Sequence, residues 1–346
     1  MRYKKPEIEY KGLREPLRSL LVCPQCNGGL DVRDIKKGSK DALIEGVLHC
    51  STCCIDFPVR RGIPRFILED LGRLEEETAK SFGYQWQAFS RRSIHWKKKC
   101  REYFSPFQPQ EIGKGRVLDA GCGYGRWLYE VSEGGGICIG MDLSDAVFAA
   151  ADFLAEKENC HLVQGNILRP PFKKGSFDTV YSIGVLHHLP KGAEEGIHSL
   201  VPLVNKNGLF FVWLYGRQRG DQSISWFSLV RKVTKYFPKP VMRAICMVLA
   251  CMLTVVFVIP KRFLSLFNMT RRISDHIPFH SYRDLPLSEL RTDLFDMYAT
   301  PIEHGYGRGE VCEMLHEAGL EEVQVTPYGI PRNPEASWRG WGIRRS

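Results

Sequence analysis

The stretch Arg116-Val117-Leu118-Asp119-Ala120-Gly121-Cys122-Gly123-Tyr124-Gly125 constrains this chain more than any other. It reads as a buried strand running into a glycine loop and then a helix, and Gly140-Met141-Asp142 closes the next strand. In a doubly wound sheet a ligand sits beyond the carboxyl ends of the strands. A glycine turn lets it approach the backbone there, and a carboxylate on the second strand accepts ribose hydroxyls. Asp142 has the right place and chemistry, so the pattern predicts an α/β fold, helices on both faces of a Rossmann-like sheet, and a nucleotide-like cofactor.

The glycines also discriminate between cofactors. A dinucleotide fingerprint wants G-x-G-x-x-G, its third glycine allowing close helix–strand packing while the pyrophosphate rests on the helix N-terminus. Here the glycines are 121, 123 and 125, and Arg126 stands where that fingerprint has glycine. The run Asp119-x-Gly121-x-Gly123-x-Gly125 instead resembles motif I of the class I methyltransferases, which bind S-adenosylmethionine. That resemblance implies a loop shaped for an amino-acid end rather than a pyrophosphate, with Asp142 and the adjoining Leu143 at the ribose.

Two later segments keep the order of that family. Gln164-Gly165-Asn166-Ile167 follows a short apolar strand, and Phe177-Asp178-Thr179-Val180-Tyr181-Ser182 through His187-His188-Leu189 reads as the fourth strand and its exit. The resemblance implies that Asn166 and Ile167 touch adenine and that the segment containing Ser182 lines the floor of the cofactor site.

The chain has 346 residues, 44% of them hydrophobic, enough for one large core, a small extra module and a sizeable insertion. Its 48 basic and 39 acidic residues leave +9, a surplus that allows contact with nucleic acid or anionic lipid but reads as spread along the chain, and so establishes neither partner. Residues 1–16 are charged and lack the apolar centre of a signal peptide, which predicts a cytoplasmic protein. The twelve cysteines are accordingly read as thiols and metal ligands, not as a disulfide framework.

Cys23-Pro24-Gln25-Cys26 and Cys50-Ser51-Thr52-Cys53 each present two thiolates from one tight turn, and two such knuckles complete a tetrahedral, structural zinc site. Cys54 and His49 adjoin the second knuckle and can substitute for a ligand, so the spacing alone leaves the set of four open. Residues 15–68, with Leu20-Leu21-Val22-Cys23-Pro24 and Phe57 to Phe66, resemble the small zinc-ribbon proteins that partner and activate methyltransferases. That implies a docking or stabilising element carried in the same chain, with no RNA substrate implied.

Residues 69–106 form an aromatic linker centred on Ser81-Phe82-Gly83-Tyr84-Gln85-Trp86. It reads either as a helix packing aromatics on the sheet or as a lid in which Tyr84 or Trp86 covers the cofactor. Residues 107–216 read as the cofactor half of the methyltransferase core, 217–307 as a helical insertion after the fifth strand of that sheet, and 308–346 as the rest of the core, with Arg332, Asn333 and Trp338 in a loop before the last strand. Within the insertion, residues 244–259 carry no charge and are flanked by basic residues. Sixteen residues fall short of the ~20 that span a bilayer, which leaves a cap helix, membrane-surface contact or a short span.

Methyl transfer needs an acceptor atom held in line with a sulfonium methyl and shielded from water; a base is required only where the acceptor loses a proton. His187, His188 and His304 are the candidates, His188 in a frame common to the family whatever its acceptor, with Asp296 and Tyr306 near His304 in sequence. The expectation is a methyltransferase acting on a small or lipid-linked molecule. The alternatives are an RNA or protein methyltransferase guided by the ribbon and a scaffold that binds cofactor without turnover. Against the first alternative, Ser182-Ile183-Gly184-Val185 stands where an Asn/Asp-Pro-Pro-Tyr tetrad would position an amino nitrogen.

Overall fold

A computed structural model describes residues 11–345 apart from 69, 71, 90–95, 218–233, 235–236, 266–286, 301 and 330–332. In chain order the elements are β1 (Leu30–Gly38), β2 (Leu43–Cys50), β3 (Ile55–Arg60), β4 (Ile63–Phe66), α1 (Arg73–Phe89), α2 (Trp96–Phe104), β5 (Arg116–Ala120), α3 (Arg126–Val131), β6 (Ile137–Asp142), α4 (Ala146–Phe153) and β7 (Cys160–Gly165). There follow β8 (Phe177–Ile183), α5 (Ala193–Leu200), β9 (Val204–Tyr215), α6 (Lys239–Leu264), α7 (Leu287–Ala299), α8 (Arg308–Glu317), β10 (Leu320–Pro327) and β11 (Ser337–Arg344). Two compact units divide them: one takes residues 1–219, 302–329 and 333–346, the other 220–301 and 330–332.

In the larger unit one sheet of eleven strands runs β1-β2-β3-β4-β7-β6-β5-β8-β9-β11-β10. The five strands β7, β6, β5, β8 and β9 are parallel, and β11 and β10 add to β9 antiparallel. Side chains of these strands alternate between two cores. Leu118, Ala120, Ile139, Met141, Phe210, Val212 and Leu214 enter one; Val117, Cys138, Phe211, Trp213 and Tyr215 enter the other. A strand buried on both faces reads as a near-continuous apolar run, which is why Val117-Leu118 and the stretch after Gly208 signal the centre of a parallel sheet. Helix α2 supplies aromatics to the second core: the Phe104 ring lies 4.9 Å from Tyr181, and Tyr103 5.0 Å from Trp213.

The ribbon is part of the larger unit rather than a separate body. Its last strand, β4, pairs parallel with the outer edge of β7, Arg65 opposite Gln164 and Phe66 opposite Gly165. Leu13, Leu17, Leu43, Phe57 and Phe66 belong to the same core as Leu118 and Met141. A second tie joins Val22 N–H to the Pro171 carbonyl at 3.0 Å and Lys173 N–H to the Leu20 carbonyl at 3.0 Å. Trp338, expected in a loop, lies in β11 and is 2% exposed, its indole N–H donating to the Tyr306 carbonyl at 2.8 Å; Arg332 lies outside the described residues.

In the smaller unit α6 and α7 pack together, with Met242, Cys246, Ala250 and Val258 buried on α6 and Leu290, Leu294, Phe295 and Tyr298 buried on α7. The apolar run of 244–259 lies within a helix of 26 residues, longer than the run because Lys239-Pro240 starts it early and Lys261 to Leu264 extend it. A single π-helical stretch, Thr254–Val258, interrupts its α geometry.

Candidate functional site

The glycine loop after β5 is built from three left-handed residues. Gly121, Gly123 and Gly125 have φ of +89°, +55° and +84°, which L side chains rarely adopt. At Gly121 space is closed as well, since a Cβ would lie 2.5 Å from Val185 Cγ2. The loop is tied to the next strand: Gly121 and Cys122 N–H both donate to the Met141 carbonyl, at 2.7 and 3.0 Å.

Asp142, at the end of β6, joins the loops around it. One oxygen accepts Gly123 N–H at 2.8 Å; the other accepts Ser144 N–H at 2.9 Å and the Ser144 hydroxyl at 2.7 Å. Burial raises its pKa and these three donors oppose the rise. A carboxylate offers about four lone-pair sites, so capacity for a further donor remains. Asp119, 1% exposed on β5, has an oxygen with no hydrogen-bond partner among the described residues. Burial pushes it up to about 8, the Tyr181 hydroxyl opposing and the charge of Asp142 adding. Buried Asp119 and half-buried Asp142 together form a polar floor under a backbone cradle, suited to a ligand bearing an ammonium group and ribose hydroxyls.

Leu143 is half-buried beside this floor, and Asn166 and Ile167 follow β7. The Asn166 side-chain oxygen accepts Leu168 N–H at 2.9 Å, fixing the turn, while the Ile167 carbonyl accepts the Ser199 hydroxyl at 2.7 Å. Ser182 does not face a cavity. It is fully buried and donates its hydroxyl to the Ala120 carbonyl at 2.7 Å, pinning the strand end from which the glycine loop departs.

Helix α1 crosses this edge of the sheet. Gly83 packs on Ser144, where a Cβ would sit 3.4 Å from the serine Cβ, and the Phe82 ring lies 5.1 Å from that of His188. The helix therefore covers the loops after β6 and β8 together. Tyr84 is half-buried one residue beyond; the side chain of Trp86 lies outside the described residues.

The three histidines come together although 304 is remote in sequence. His304 N–H donates to the His187 carbonyl at 2.9 Å, and His188 Nδ1 lies 2.7 Å from the Ile302 carbonyl. His304 Nε2 lies 3.1 Å from the Leu189 carbonyl; a carbonyl only accepts, so Nε2 carries the proton and Nδ1 is the basic nitrogen. His187 is fully buried with its ring 3.8 Å from that of Tyr215, a packing position rather than one open to an acceptor. Tyr306 is likewise structural: its hydroxyl accepts Ala193 N–H at 2.7 Å, at the start of α5. The side chain of Asp296 lies outside the described residues.

In the ribbon, the sulfurs of Cys23, Cys26, Cys50 and Cys53 lie within 4.8 Å of one another, with Cys23–Cys53 at 3.5 Å and Cys26–Cys50 at 3.4 Å. A tetrahedral zinc with bonds of ~2.3 Å separates its sulfurs by about 3.8 Å, so the cluster fits that ion closely. Burial opposes ionisation of Cys50, but the Cys53 backbone amide and the Cys26 thiol pull it down to about 6. Geometry also decides what spacing left open: Cys54 is exposed at φ +56°, and His49 Nδ1 is engaged with Asp56 at 2.6 Å.

One functional contact has no signal in the sequence. Arg65 on β4 donates to the Gln164 side-chain oxygen at 2.5 Å, and the Gln164 amide donates to the Leu143 carbonyl at 3.1 Å and to Asp145 at 3.0 Å. A ribbon side chain thus braces the loop that carries Asp142. Arg65 and Gln164 are 99 residues apart, and only the β4–β7 pairing brings them together.

Residues 117–208 match a family model described as methyltransferase domain. Among curated proteins, the chain is 35% identical over 101 residues to a sterol 24-C-methyltransferase of Gibberella zeae, covering 28% of this chain and 26% of that protein. It is 43% identical over 77 residues to a tRNA U34 carboxymethyltransferase of Psychromonas ingrahamii (21% and 23%), and 39% identical over 70 residues to a demethylmenaquinone methyltransferase of Lactococcus lactis (18% and 28%). The matches thus span roughly a quarter of these relatives' length. A solved structure, the 1,6-didemethyltoxoflavin-N1-methyltransferase of Burkholderia thailandensis, aligns with a TM-score of 0.47 at 13% identity over 81% of this chain and 94% of that one. The sheet from β5 to the start of β9, with its glycine loop and the acidic end of β6, is a Rossmann-like methyltransferase domain.

Proposed function

We propose that the chain is an S-adenosylmethionine-dependent methyltransferase whose acceptor is a small or lipid-linked molecule, with a structural zinc in its ribbon. The observation that carries the reading is the joint between Asp142 and the glycine loop, a carboxylate fixed by Gly123 and Ser144 over the buried Asp119. Bound at that edge, S-adenosylmethionine supplies an electrophilic methyl group. Asp142 accepts the ribose hydroxyls, Asp119 faces the amino-acid end, Asn166 and Ile167 flank the base, and α1 with Tyr84 excludes water. Where the acceptor carries a proton, His304 Nδ1 takes it, because Nε2 is held by Leu189.

The named acceptors of the relatives include a sterol, a menaquinone precursor and a tRNA uridine, and their matches are short. Their names support transfer of a methyl or carboxymethyl group and favour no one acceptor. The ribbon's role in this reading is to close the β7 edge and brace the Asp142 loop, which needs no nucleic acid. Cys23, Cys26, Cys50 and Cys53 would hold the zinc with no open position for chemistry.

Calorimetric titration with S-adenosylmethionine and with NAD tests the assignment. Binding of the first alone is expected, weakened about ten- to hundredfold in Asp142→Ala. Binding of NAD alone, or unchanged affinity in the variant, would sink it. His304→Ala should lower kcat on any proton-bearing acceptor while leaving cofactor affinity unchanged.

A further inference from the structure

The smaller unit carries a surface that the methyl-transfer reading does not use. Among the described residues, every large apolar side chain more than half exposed lies on α6: Val248, Met252, Val255, Val256, Ile259 and Phe263. Their spacing places them on one face, and from Val248 to Phe263 the stripe runs about 23 Å at 1.5 Å per residue. Opposite it, Met242, Cys246, Ala250 and Val258 are buried. The helix therefore presents a long apolar stripe to solvent while its other side is satisfied.

The charge flanking the stripe in the sequence argues for its occupant. Between Asp221 and Asp275 the sequence has nine basic residues and no acidic one. The positive surplus that reads as dispersed along the whole chain is concentrated here. Exposed Arg243 and Arg262 stand near the two ends of the stripe. A second copy of the chain would bring two such basic segments together and be repelled; an anionic lipid surface is attracted by the flanks and receives the apolar stripe between them.

We propose that α6 docks on an anionic bilayer surface and lies in its plane, its exposed face immersed in the headgroup–acyl boundary to a depth of about 5–10 Å. It does not cross. Its packing partner α7 carries Glu289, Arg291, Asp293 and Asp296, and Lys261 on α6 itself is fully buried. Charged groups cost roughly 2.5–3.5 kcal/mol each at the centre of a membrane, so this helix pair stays at the interface. The inference rests on the smaller unit and stands or falls independently of the methyl-transfer reading.

The test is flotation of the full-length chain with phosphatidylcholine vesicles and with phosphatidylcholine–phosphatidylglycerol vesicles, without cofactor. The chain should float with the anionic vesicles, bind them less as salt rises, and bind the neutral ones at least about tenfold more weakly. Val248→Asp with Val255→Asp should reduce binding by about tenfold or more with the melting curve retained, since both side chains are exposed. Alkaline carbonate should strip the bound wild-type chain. No flotation, equal binding by the double variant, carbonate-resistant insertion, or a wild-type dimer that the double variant dissolves without any lipid binding would each overturn the proposal.

Discussion

The two edges of the parallel sheet are finished in different ways. Beyond β9 the chain adds its own hairpin: β11 pairs with β9 over seven residue pairs and β10 covers β11. Arg344 ties β11 back by donating to the Pro202 and Val204 carbonyls at 2.8 and 2.6 Å, and Trp341 stacks on Phe211. Beyond β7 the chain instead lays β4 against the open edge with only two residue pairs, and β4 belongs to a ribbon whose two knuckles meet through four sulfurs. An unpaired strand edge invites aggregation, and both devices remove that hazard. The difference lies in what holds them. Packing and hydrogen bonds secure the hairpin, whereas the ribbon edge carries a four-sulfur cluster that fits a metal ion and sends Arg65 to the Gln164 that braces the Asp142 loop.

The strongest way to break this contrast is to remove the metal. Chelation, or Cys50→Ser, should unfold β1 to β4 with a loss of several kcal/mol, given that structural zinc sites bind with about 10 kcal/mol or more. Hydrogen exchange should then rise in β4 and β7 and stay unchanged in β9 and β11. Equal protection at both edges would show that the ribbon holds without metal.

Gly121→Ala probes the centre between the edges. A forbidden φ and a 2.5 Å approach to Val185 together should cost about 3 kcal/mol or more. Thermal melts would read this; a neutral effect would mean that the loop yields at Val185.

Asp119 gives the centre a pH signature. Its folded pKa is raised to about 8 from an ordinary 3.8, chiefly by burial. The folded state therefore holds the extra proton between those values. Stability should fall as pH rises from about 4 to 8, by up to ~1.4 kcal/mol per pH unit from this group. Melting temperature against pH should show the slope in the wild type and a flatter profile in Asp119→Asn.

The smallest effect sharpens the comparison most. Arg65→Ala should weaken cofactor affinity by about tenfold, through release of Gln164 and of the loop it holds. Arg344→Ala, on the hairpin edge, should lower the melting temperature without touching affinity. If both variants shift affinity alike, the ribbon has no special link to the site.

The glycine loop, Asp142 and the two cysteine knuckles were legible because each is a local signal, a turn or strand end whose chemistry depends on residues a few positions apart. The surroundings of Ser182 and His187 were not legible, for the complementary reason. A strand-end motif names which residues cluster but not which face they take, and here both are buried, one bonded to Ala120 and the other packed on Tyr215. The meeting of His304 with Leu189 was beyond the sequence too, since it depends on a segment returning after the whole insertion.

By itself, then, the sequence determined the parallel sheet, the place of the glycine loop and of Asp142 at its strand ends, and the pairing of thiols into knuckles, all of which follow from short-range periodicity and spacing. Tertiary structure decided which four of the neighbouring ligands converge, that β4 rather than solvent covers β7, that Arg65 reaches the Asp142 loop, and which face of α6 stays bare. Each depends on contacts between residues far apart in the chain. Such contacts form only when burial of apolar surface outweighs the entropy of closing the intervening loops, a balance no local pattern records.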